Sequence, residues 1–151
     1  KENIEIMPIK TFRGQIKDLA AQRIKLSTNQ GLIGYRIVKL EVMSIQPGQV
    51  DGEHVVQVYT TPHTDTSKYD NINFDDPTLV GACFYKTSDI NTNTDTQFVI
   101  FDNMKFNQDI YITHAEVKGT LAVNYHLELE QIKLDLNEAT VATLKDMRGR
   151  E

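Results

Sequence analysis

Apolar and polar side chains alternate with a period of two along much of this chain, and that alternation limits the possible folds more than any other feature. Within residues 35–43, Val38, Leu40 and Val42 fall on one side, and Lys39 and Glu41 on the other. Successive side chains of an extended chain point to opposite faces, so this is the pattern of a half-buried strand. Residues 54–60 alternate again, with Val56 and Val58 inward, and Arg23-Ile24-Lys25-Leu26 carries the alternation into residues 22–28. Residues 11–16, 97–101, 109–115 and 121–136 read as further strands. Residues 78–86 are apolar with little interruption, which suits a strand covered on both faces. Pro47-Gly48, Asp51-Gly52, Asp102-Asn103 and Lys118-Gly119 supply the turns. Short strands with turn signals every ~8–12 residues predict an all-β fold, an antiparallel β-sandwich. Long loops between distant strands favour jelly-roll or Greek-key topology over a meander. No repeat or linker interrupts residues 1–151, so they are read as a single domain.

The last strand changes phase. Tyr125, Leu127 and Leu129 share one parity, and Ile132, Leu134 and Leu136 share the other. Keeping both sets inside requires an inserted residue, so a β-bulge or bend is expected near Glu130-Gln131. The alternative is a strand that crosses between sheets. Beyond it the period lengthens. Asn137 can cap a helix over residues 137–148, Glu138 favours its positive end, and Val141, Leu144 and Met147 form a helical stripe. A helix this short needs a surface to dock on.

Charge is unevenly spread. The net charge of −5 divides into +3 over residues 1–25, +1 over 26–50, −7 over 51–110 and −2 over 111–151. Phosphate binding needs a cationic face, so the acidic middle argues against nucleic acid as a partner. The basic start makes residues 1–30 a candidate docking segment, with Arg13, Lys17, Arg23 and Lys25 as its contact residues. Residues 61–77 form a long polar loop holding Asp65, Asp70, Asp75 and Asp76, and residues 87–96 form a second one. Loops this long tend to be functional or mobile. No stretch reaches the ~20 apolar residues of a membrane span. No signal peptide stands out in residues 1–10, and no glycan acceptor triplet occurs.

The search for chemistry returns little. His54, His63, His114 and His126 show no close metal-ligand spacing. His54, His114 and His126 sit beside alternating apolar positions, where a histidine faces solvent or makes a satisfied polar contact. Asp70, Asn71, Asn73, Asp75 and Asp76 offer oxygen ligands that suit calcium, but their spacing does not fit the EF-hand loop, and solvated charge is the simpler account. Glu128 and Glu130 alternate outward opposite Leu127 and Leu129, so they read as exposed charge rather than a glycosidase pair. Ser27, Ser44, Ser67 and Ser88 lack a nucleophile-elbow context. Cys83, the one cysteine, sits in an apolar run and reads as a small buried hydrophobe. No catalytic residue, metal ligand or cofactor is expected, and the chain is not read as an enzyme.

Gly34-Tyr35-Arg36-Ile37-Val38, residues 100–103 with 106–113, and the tail 127–146 resemble stretches of virion structural proteins of marine bacteriophages. The likeness spans residues 11–148. It implies a capsid, decoration or tail subunit with no active site, found in the virion and assembled in the host cytoplasm. The implied function is a jelly-roll capsid or decoration subunit that forms homo-oligomers and docks on other virion proteins. The N-terminal segment and the helix residues Val141, Leu144 and Met147 are its candidate contacts. The alternative reading is a carbohydrate-binding module, in which Tyr69 and the neighbouring loop aspartates would form a calcium-assisted glycan site.

Overall fold

Where the side chains alternate, the chain is extended. The computed structural model describes residues 8–27, 31–47, 51–87, 94–101 and 104–149. Among them are eight strands: β1 (Ile9–Ile16), β2 (Ala20–Ile24), β3 (Ile33–Ser44), β4 (Glu53–Tyr59), β5 (Leu79–Thr87), β6 (Thr94–Ile100), β7 (Ile110–Glu116) and β8 (Val123–Lys133). One α-helix, α1 (Leu136–Gly149), follows. The strands form two antiparallel sheets, ordered β1-β8-β3 and β2-β7-β4-β5-β6.

The expected all-β sandwich is what the chain forms. Consecutive strands β1 and β2, β3 and β4, and β7 and β8 lie in opposite sheets, which is jelly-roll order. One pairing departs from it. β6 hydrogen-bonds to β5 instead of crossing over to lie beside β3. One sheet therefore has three strands and the other five, and β6 overhangs.

The core lies between the sheets. Val56 and Val58 of β4 and Ile110 and Ile112 of β7 meet Val123, Leu127 and Leu129 of β8, all of them buried. Apolar area removed from water contributes roughly 25 cal/mol per Å², so this contact drives the packing of one sheet on the other. Tyr125 also packs inward, because its cross-strand partner on β1 is Gly14. A methyl group at that glycine would sit 3.0 Å from the ring.

The phase change in β8 has a different cause from the one its sequence suggested. β8 runs unbroken beside β1 and β3, so it neither bulges at Glu130-Gln131 nor crosses sheets. The register shift is in its neighbour, between Ile37 and Lys39. The extra residue there is Val38, which turns outward while Ile37 and Leu40 are buried. Val38 thus does not share the inner face with Leu40 and Val42 as the alternation implied. Ile132 and Leu134 remain buried because the outer face of β8 is also covered there, by Ala139 of α1 and by Leu32. The cap of α1 is Asp135 rather than Asn137. Its Oδ1 accepts from the Glu138 amide at 2.7 Å, which satisfies an otherwise orphaned donor.

The loop over residues 61–77 is built rather than loose. It contains a 3-10 turn, Thr66–Lys68, capped by Asp65. It lies on the side chain of Gln57, whose Nε2 donates to the carbonyls of Tyr69 and Asn71. The expected turn at Asp102-Asn103, most of the polar loop at 87–96, and residues 1–7 and 28–30 of the docking segment lie outside the described residues.

Candidate interaction surface

Because β6 stays with β5, the flank between β3 and β6 is open. The two sheets meet closely at Gly81 of β5, where an added methyl group would touch Ile37 at 3.4 Å and Leu40 at 3.7 Å. Between the sheets on this flank lies a groove of about 780 Å³ whose walls include Arg13, Leu40, Glu41, Phe98, Tyr125 and His126. Phe98 pairs in register with Cys83, which faces the core, so its ring belongs to the inner face. It is nonetheless 60% exposed, because the groove separates it from the smaller sheet. Elsewhere on these edge strands Val38 and Met43 are exposed on the outer face of the smaller sheet and Val99 on the outer face of the larger one, and Ile45 is exposed just past β3. Polar residues surround Val38 and Met43 on the outer face of the smaller sheet. Arg13, His126 and Glu41 form one cross-strand row, with an Arg36–Glu130 pair further along. Lys39 and Glu41 pair at 3.3 Å on the same face. Exposed pairs of this kind contribute ~0–1 kcal/mol each and shape the rim rather than hold the fold.

The expected contact residues are dispersed. Arg13 reaches the groove. Arg23 is committed to Asp109, its Nε donating to Oδ2 at 2.6 Å. Lys17 is in the β1–β2 connection, where its carbonyl accepts from His114. Lys25 is exposed beyond the end of β2. On α1, Val141 is 52% and Leu144 46% exposed, so the helix docks through Ala139 and turns these two outward. The side chain of Met147 lies outside the described residues.

Asp109 has a structural role that the sequence did not reveal. Its Oδ1 accepts from the amides of Leu26 and Ser27, closing the end of β2. Burial pushes this carboxyl up, but those amides and the Arg23 guanidinium outweigh it and hold the group at about 2.

The histidines become partners across long stretches of sequence. His54 on β4 and His114 on β7 are fully buried, with His54 Nδ1 2.9 Å from His114 Nε2 and the rings stacked. Parity could have found them, since His54 shares a face with Val56 and Val58, and His114 with Ile110 and Ile112. In the 61–77 loop, His63 stacks on Tyr59 with centroids 3.6 Å apart, and its Nε2 lies 3.3 Å from Asp76 Oδ2. Burial pushes the Tyr59 hydroxyl up to about 12. His126 is 3.2 Å from Glu128 on the outer face of β8. Among the described residues, no three His, Cys, Asp or Glu side chains gather as a metal site. Cys83 is buried, and burial pushes its thiol up to about 11, so it is a packing residue.

The geometry also removes the aromatic platform expected of Tyr69. That ring is buried, and its hydroxyl donates to the His63 carbonyl at 2.5 Å. Asp65 accepts from Ser67, and Asp76 accepts from the amide and hydroxyl of Thr78, so two of the four loop aspartates hold turns. No protein-family model matches the chain, and no curated protein matches it.

Proposed function

We propose that this chain is a structural subunit of a virus particle, a jelly-roll capsid or decoration protein that self-assembles and docks on other particle proteins. The observation that carries this reading is the open flank, where Phe98 of β6 is exposed over the groove and the edge strands β3 and β6 carry Val38, Met43 and Val99 exposed on their outer faces. A long edge with exposed apolar side chains invites pairing with another chain, and proteins that stay monomeric blunt or cover such edges. Coverage by neighbouring subunits would make this edge an asset. Closed rings or shells arise when such a contact repeats with a symmetry that closes. The exposed Val141 and Leu144 of α1 supply a second apolar contact on a different element. The particle context rests on the resemblance of residues 34–38, 100–113 and 127–146 to phage virion proteins.

Native mass spectrometry and sedimentation over a concentration series test the proposal. The expected result is a defined homo-oligomer that also binds co-encoded particle proteins. A strict monomer at high concentration with no such binding overturns it.

A further inference from the structure

The buried histidine pair sits at one end of the sandwich, beneath the segment that carries the chain from β1 in one sheet to β2 in the other. We propose that His54 and His114 form an acid-operated latch on this β1–β2 crossover, closed while both rings are neutral and opened when they take up protons.

Hydrogen-bond geometry assigns the protons. His114 Nδ1 lies 3.1 Å from the Lys17 carbonyl, which can only accept, so Nδ1 carries the proton. The neutral ring then presents Nε2 as an acceptor, and His54 Nδ1 donates to it across 2.9 Å. Donation thus runs from β4 to β7 to the crossover. A second contact binds the same segment, with Asp18 Oδ1 accepting from the Glu116 amide at 2.8 Å. The segment these contacts hold includes Leu19, whose φ of 55° is a conformation strained for a non-glycine residue.

Protonation breaks this arrangement. A proton added to His114 goes to Nε2 and sets two donors against each other across the 2.9 Å contact. A proton added to His54 leaves the bond intact but places a full charge in a site with no solvent exposure. Among the described residues, the titratable groups facing the pair are Asp18 from the crossover, Glu116 from β7 and Tyr85 from β5, whose ring is 6.0 Å from that of His54. The two carboxylates favour the charged form, but burial outweighs them and holds both imidazoles below their ordinary range. The closed form therefore binds fewer protons than the open one. Its advantage is complete above the ordinary histidine value and shrinks as pH falls below it. Glu116 Oε2 is buried at the same end with no hydrogen-bond partner among the described residues, which costs the closed form free energy.

Hydrogen exchange and histidine NMR on the intact chain test the latch. Ala20 pairs in register with His114, so its amide and that of Gln22 report on the crossover. Their protection factors should fall at least about tenfold relative to Ile112 and Leu127 between about pH 7 and about pH 5. The same change in a His54→Phe, His114→Phe double variant, or no change in the unsubstituted chain, overturns the proposal. The unsubstituted chain gives a second readout that needs no variant to fold. Nitrogen-15 shifts should show both rings as Nδ1–H tautomers that stay neutral below the ordinary histidine range. Either ring titrating at the ordinary value with the crossover still protected also overturns it.

Discussion

The two flanks of the sandwich are closed by different means. On one, β1 and β2 belong to different sheets and are joined by a short crossover, with Ile16 and Ile24 buried on either side of it and Asp109 tying off the end of β2. On the other, β3 and β6 also belong to different sheets, but they are not hydrogen-bonded to each other and a groove opens between the sheets there. Chain connectivity and a buried carboxylate close the first flank. The second is left to whatever fills a groove lined by Phe98 and Leu40. The difference separates two demands on the same core. Contacts within the chain close the side where it turns back on itself, and the opposite side leaves Phe98 exposed.

That contrast can be broken by substitution. On the closed flank, Ile16→Ala should lower folding stability by about 2–5 kcal/mol, measured as a shift in urea midpoint at constant m-value, because Ile16 is buried beside the crossover. Asp109→Asn should cost about 2–3 kcal/mol at neutral pH, since the held carboxylate sits about two pH units below its unfolded value. Its contribution is present above about pH 4 and is lost as pH falls toward 2, so urea midpoints of the two proteins should converge over that window. In the 61–77 loop, Tyr69→Phe should cost about 0.5–1.5 kcal/mol by removing one buried hydrogen bond to His63. On the open flank, Phe98→Ser should change monomer stability by less than about 0.5 kcal/mol, because the ring is mostly exposed. The same variant should shift sedimentation toward smaller species. A large stability loss at Phe98, or none at Ile16, would erase the distinction between the flanks.

The strands were legible in the sequence because a half-buried strand writes its inner face as an alternation, as β3, β4, β7 and β8 do, and a strand covered on both faces as an apolar run, as β5 does. What the alternation could not say is which strand of a pair holds an extra residue. The parity change was visible at Glu130, yet the inserted residue is Val38, on the neighbouring strand. Nor could a reading that assumes one buried face foresee that the end of β8 is covered on both. Asp135 and Asn137 are both good caps, and their sequence context does not choose between them. The histidine pair joins positions 60 residues apart, so spacing rules for local metal motifs do not reach it. The groove is the least legible feature. It depends on β6 remaining with β5, a choice of partner that no property of residues 94–100 announces.

The second small cluster at the end of β8 has its own consequence. Ile132, Leu134 and Ala139 are buried together, with Leu32 half-buried against them, apart from the main core. The amide of Asn107 holds the helix to that cluster through the carbonyl of Ala139 and the hydroxyl of Thr143. Opening there would uncover a few apolar side chains and leave every contact between the sheets intact. The contacts of the terminal helix are therefore separable from those between the sheets, and amide exchange in α1 is expected to be faster than in β4, β7 and β8.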